Sequence, residues 1–105
     1  MTQFTVYANR NPQTRSTVPF LLDIQNDLLS DLETRVVVPL HLISALKGKA
    51  LKTLTPILKI EGDSFVMLTP QLAGIPKGEL GAPVAQVQQY RSEIIAAIDL
   101  LVTGI

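Results

Sequence analysis

Apolar positions repeat along this chain with two different periods. From Gln3 to Ala8 (QFTVYA), Phe4, Val6 and Ala8 alternate with Gln3, Thr5 and Tyr7. Alternation built from aromatic and β-branched residues predicts a half-buried strand. The polar stretch NRNPQTRST (Asn9–Thr17) predicts a loop or hairpin tip. VPFLLDIQND resumes a strand, with Phe20, Leu22 and Ile24 on one face and Asp23 and Gln25 on the other. Pro19 has no N–H to donate and suits a strand start or an edge. DLLSDLETR (Asp27–Arg35) mixes turn formers with apolar residues and reads as a short connection, whereas VVVPL (Val36–Leu40) is a continuous run expected as a strand buried on both faces.

HLISALKGKALKTLTP allows a helical turn through Leu42, Ala45, Leu46 and Lys49, which Pro56 ends. PILKIEGDSFVMLTPQLAGIP predicts a hairpin, with strands Ile57–Ile60 and Ser64–Thr69 around Glu61-Gly62-Asp63. Pro- and Gly-rich turns follow, through Gly81-Ala82-Pro83. From Val84 the period lengthens. At about 100° per residue, Val84, Val87, Tyr90, Ile94, Ile95, Ile98, Leu101, Val102 and Ile105 share one arc, opposite Gln88, Ser92, Ala96, Asp99 and Thr103. Pro83 fits as the opening residue of a helix and Gly104 as its terminator. Arg91 falls inside the apolar arc and Leu100 among the polar positions. Many short strands followed by one helix predict a single mainly β domain over residues 1–105. Its expected form is a small β-barrel or curled antiparallel sheet with one terminal α-helix packed on it.

Composition narrows the function classes. The chain of 105 residues is 47% hydrophobic and 17% charged, which argues against disorder. Nine basic residues balance nine acidic ones, and only Lys47, Lys49 and Lys52 form a loose group. A protein that binds nucleic acid by itself is expected to carry a basic excess or stripe. There is no cysteine, so neither disulfides nor thiolate chemistry contribute. MTQFTVYANR lacks the basic start and apolar run of a signal peptide, and no stretch reaches the roughly 18 apolar residues of a spanning helix. The expectation is a cytoplasmic protein that does not engage a membrane.

Candidate chemistry is sparse. His41 is the single histidine and has no neighbouring acid or ligand set for general-base or metal work. A nucleophile-elbow pattern is absent. Asp23, Asp27 and Asp31 recur every four residues, but a strand and a turn would keep them apart, so turn formation and solvation account for them. Gly74, Gly78 and Gly81 lack the strand-to-helix setting of a phosphate loop. No catalytic residue, metal or cofactor is expected. A binding protein is the default; on the residues alone the apolar terminal run IIAAIDLLVTGI (Ile94–Ile105) is expected to pack into the core, as its place on the helical arc permits.

Five blocks, QFTVY, FLLDIQNDLL, TRVVVPL, VMLTPQLAGIP and EIIAAIDLLVTGI, together resemble the CcdB family of bacterial toxins, in family order and across nearly the whole chain. The resemblance implies a homodimer built on a small SH3-like barrel with a C-terminal helix. It implies a non-enzymatic toxin of a type II toxin–antitoxin module that binds the A subunit of DNA gyrase and traps the gyrase–cleaved DNA complex. A CcdA-like antitoxin would neutralise it, and toxin and antitoxin together would bind operator DNA and repress their operon.

By matching positions, the gyrase-binding residues would be Leu28, Leu29, Asp99, Val102, Thr103, Gly104 and Ile105, with Leu100 a candidate for the dimer interface. Two departures stand out. Well-known family members carry Trp at the position of Thr103, where the ring stacks on an arginine of gyrase, and Glu at the position of Arg91. Threonine cannot stack. The alternatives are a MazF-type ribonuclease on the same barrel, or a remnant that binds antitoxin without toxicity.

Overall fold

A computed structural model describes residues 2–45, 51 and 53–104. Seven strands form one antiparallel sheet: β1 (Thr5–Asn9), β2 (Phe20–Asp23), β3 (Thr34–Leu42), β4 (Ile57–Ile60), β5 (Asp63–Met67), β6 (Ala73–Pro76) and β7 (Leu80–Gln86). Among the described residues one α-helix, α1 (Arg91–Thr103), follows. Hydrogen bonding orders the sheet β4-β5-β3-β2-β1-β7, with β6 beside β3. The sheet curls into a half-barrel with the helix at its C-terminal end, so the expected mainly β architecture with one terminal helix holds.

β3 organises the sheet. One side pairs with β2, from Phe20↔Leu40 to Asp23↔Val37. The other side is shared: residues 34–37 pair with β6 and residues 40–42 with β5. Both faces of β3 are used. Val38 and Leu40 enter a core with Phe4, Leu22, Phe65 and Met67, while Val37 joins Tyr7, Leu21 and Leu80 in a smaller cluster behind it. The continuous apolar run of VVVPL has this cause. A strand flanked on two edges and covered on two faces has no solvent side to leave polar.

Turn chemistry closes the pieces. β4 and β5 meet through Glu61 and Gly62 at φ of 52° and 87°, the pair of left-handed residues that a two-residue hairpin requires. Gly81 lets β7 approach β1, because a Cβ there would stand 2.9 Å from the Ala8 carbonyl oxygen. Just beyond β7, the Tyr90 hydroxyl accepts a bond from Lys59 N at 3.2 Å. The two ends of the strand order are thereby tied together.

The largest departure from the sequence reading is the start of the helix. Val84 belongs to β7, Val87 is buried just after it, and a 3-10 turn (Gln88–Tyr90) leads into α1 at Arg91. Pro83 opens no helix. It sits in an edge strand opposite Tyr7, where its missing N–H leaves no ladder bond unmade. The single apolar arc also fails at the far end: Ile94 and Ala97 are buried, but Leu101 and Val102 are exposed. Arg91 is exposed rather than inside an apolar arc. Of the helical turn expected after β3, Ile43–Ala45 form a 3-10 turn; Leu46 and Lys49 lie outside the described residues.

The helix therefore depends on one inward stripe. Ile94 is fully buried and Val102 is 72% exposed. Ile94→Ala is expected to destabilise the fold by about 2–5 kcal/mol, and Val102→Ala by no more than about 0.5 kcal/mol. Urea unfolding of the two variants measures both; equal losses would contradict this seating of the helix.

Candidate partner-docking surface

The residues singled out from the sequence that lie among the described residues fall on two surface features. The first is a 3-10 turn over Asp27–Leu29. Asn26 caps it, its Oδ1 accepting from Leu28 N at 2.8 Å, as short polar side chains do at helix starts. Asp27, Leu28 and Leu29 are all exposed, Leu28 at 90% and Leu29 at 51%. Leu32, which the sequence reading passed over, is 50% exposed and extends the same apolar stretch. Leucines this open within a few residues of one another are not the scattered singles of an ordinary surface.

Hydrogen bonds hold this turn from below. Gln25 donates from Nε2 to Leu29 O at 2.9 Å and accepts at Oε1 from Val36 N at 3.0 Å. Gln3 N donates to Asp27 Oδ1 at 2.7 Å, and Gln3 Nε2 to Ile24 O at 3.0 Å. Lys77 Nζ, just past β6, donates to Ser30 O at 2.5 Å. Deeper still, Arg35 and Asp23 form an ion pair with NH2–Oδ2 2.7 Å and Nε–Oδ2 2.9 Å, both side chains fully buried.

That pair corrects the expectation that Asp23 and Asp27 are solvated turn formers kept apart. Asp23 lies in the interior, and Asp27 Oδ1 comes within 3.8 Å of the same Arg35 NH2. Among the described residues no group of three metal-ligating side chains forms. His41 is half-buried on β3, with Nδ1 3.1 Å from Leu42 O.

The second feature is the end of α1. Asp99, Val102, Thr103 and Gly104 are exposed, and Leu100 is half-buried, less open than its neighbours Leu101 and Val102. Leu100 is therefore not the exposed leucine that the helical period implied. Gly104 takes the left-handed conformation, φ 77°, and its N–H bonds Leu100 O at 3.0 Å, a glycine-terminated helix end. Thr103 Oγ1 donates back to Asp99 O at 2.7 Å, so its hydroxyl is already satisfied within the helix. Ile105 lies outside the described residues.

Phe4 links the segment before the turn to the segment before the helix. It packs in the core with Val87, Ile94, Ala97, Ile24 and Ile98. Its N–H bonds Asp23 O at 2.7 Å, and its carbonyl accepts from Val87 N at 2.9 Å. Its φ of 64° is a left-handed conformation rarely adopted by a bulky residue, and such strain persists only where the surroundings enforce it. Elsewhere, a cavity of about 260 Å³ opens between the 9–18 loop and β6, lined by Asn9, Thr14, Leu21, Val37 and Ile75. It contains none of the positions singled out above.

The family model for CcdB protein matches residues 3–104. The chain belongs to the CcdB family. CcdB proteins are toxins of toxin–antitoxin systems, not a family of catalytic enzymes, and the family implies an antitoxin and gyrase as partners in general. Among the described residues no helix is long and apolar enough to cross a membrane.

Burial pushes the Asp23 carboxyl above the usual carboxylate range, against the pull of its hydrogen bonds to Arg35 and to the Gln25 backbone and of the Arg35 charge. Arginine keeps its proton at any working pH, so an ionised Asp23 faces a fixed positive charge, at a desolvation cost. A folded-state value above the unfolded one means stability that is present below the unfolded value and lost as pH rises through the folded one. Relative to Asp23→Asn, the wild-type chain is expected to gain stability as pH falls from about 7 to about 4. Urea midpoints of the two chains across that range measure the difference, and a wild type that loses ground on acidification contradicts the assignment.

Proposed function

We propose that this CcdB-family toxin poisons DNA gyrase. It acts as a homodimer that binds the gyrase A subunit and traps the complex in which DNA is cleaved. A CcdA-like antitoxin neutralises it, and operator DNA is bound only together with that antitoxin. Leu28 and Leu29 would make the contact with Asp99, Val102, Thr103, Gly104 and Ile105, and Leu100 would lie toward the dimer interface.

The observation that carries this reading is the exposure of apolar side chains at the family's contact positions, Leu28 at 90% and Val102 at 72%. Exposed apolar groups on a hydrogen-bonded turn and a helix end favour docking onto another protein over chemistry on a small substrate. With threonine at position 103, stacking on a gyrase arginine is replaced by apolar contact from Val102 and Leu101. The match to the CcdB family takes the place of the ribonuclease reading, which no observation favours.

The test is DNA cleavage with purified gyrase, ATP and supercoiled plasmid. The full chain is expected to trap linear DNA, and removal of Ile105 to abolish trapping. Leu28→Asp is expected to raise the half-maximal concentration at least ten-fold, about 1.4 kcal/mol, with an unchanged circular dichroism spectrum. A folded full chain that traps no linear DNA contradicts the proposal.

A further inference from the structure

The Asp27–Leu29 turn poses a physical problem. All three of its side chains are exposed, so no apolar packing of its own fixes it, and a single 3-10 turn has poor intrinsic stability. Its conformation must come from the residues that bracket it.

The bracketing is specific. Asp23 Oδ1 accepts from Gln25 N at 3.0 Å, and Arg35 NH2 donates to Gln25 O at 3.3 Å. The ion pair therefore grips both main-chain polar groups of Gln25, the residue before the Asn26 cap. The Gln25 side chain spans to Leu29 O at the far end of the turn. Asp27, its first residue, lies within 3.8 Å of the same guanidinium.

Stability alone gives little reason for this arrangement. Arg35 and Asp23 are fully buried, and Arg35 NH1 has no hydrogen-bond partner among the described residues. Desolvation of a buried pair offsets most of its attraction, and well-packed apolar residues often do as well or better. A buried pair of this kind has its best-attested use in specifying one conformation.

We infer that Asp23 and Arg35, with Gln25 as the strut between them and Leu29, are positioning residues that hold the Asp27–Leu29 turn in the shape that presents Leu28 and Leu29 to the partner. The inference rests on the docking role proposed for those leucines. Its consequence is a separation of fold from function: the pair is replaceable for the first and required for the second.

The test uses the full chain and two variants, Asp23→Leu/Arg35→Met, which replaces both charges by apolar groups, and Gln25→Met, which removes the strut to Leu29 together with the bond from Val36 N. Both are expected to melt cooperatively within about 5 °C of wild type or above it. Both are expected to need at least about ten-fold more protein for half-maximal trapping of cleaved DNA. Amide exchange is expected to quicken at Leu28, Leu29 and Ser30 and to stay unchanged at Leu22 and Val38, a local signature that general loss of stability would not give.

Variants that trap cleaved DNA at the wild-type concentration overturn the inference. A double variant that fails to fold, or that quickens exchange throughout the core, makes the pair a stability device and overturns it equally. If the wild-type chain itself traps no DNA, the gyrase reading fails on its own and the exchange pattern decides the positioning role. Faster exchange confined to the turn sustains it, and unchanged exchange there overturns it.

Discussion

β3 is paired along both edges and packed on both faces, and that double constraint fixes most of the rest. Its N-terminal half meets β6 and its C-terminal half meets β5, while β2 lies along the opposite edge. A one-residue slip would send Val38 and Leu40 to the wrong face and move Arg35 away from Asp23. The same register that builds the core therefore builds the ion pair. The fold and the Asp27–Leu29 turn are linked at Arg35, the second residue of the strand.

From that strand outward the molecule changes character. The core is apolar and closely ordered, with Phe20 and Phe65 rings 5.2 Å apart. Around Asp23 and Arg35, buried polar groups take over, and beyond them the Asp27–Leu29 turn shows leucine to solvent. An apolar patch held by polar struts keeps its own side chains free for a partner, because none is needed for internal packing. The CcdB membership agrees with that design, since the docking proposed for this toxin needs a fixed surface more than a pocket. The cavity beside the 9–18 loop lies apart from these positions and plays no part in the account.

Much of the fold was legible in the residues. Alternation placed β1 and β2, the Glu61-Gly62-Asp63 segment marked the β4–β5 hairpin, although the turn is Glu61-Gly62 and Asp63 already belongs to β5, and the change of period announced a terminal helix. The helix start misled because Val84 and Val87 satisfy a helical arc as easily as an edge strand, and Pro83 suits either setting. Burial of Leu101 and Val102 was inferred from a period that does not know where the sheet ends. The ion pair was hidden for a different reason. Asp23 alternates like any outward residue, and Arg35 closes a segment that reads as a turn. Only the pairing of β2 with β3 brings them together, and no spacing along the chain encodes it. The proposed contact positions, Leu28, Leu29, Asp99, Val102, Thr103, Gly104 and Ile105, came from resemblance, and a local signal that could have found Leu32 was its nearness to Leu28 and Leu29 in a polar stretch.

The most direct measurement is amide hydrogen exchange of the whole chain, free and with the gyrase A subunit bound. Slower exchange across residues 26–32 and 99–104, with the 9–18 loop and β6 unchanged, is the expected result. Protection of the 9–18 loop and β6 instead, with residues 26–32 unaffected, would contradict the central claim that the propped turn and the helix end form the docking surface.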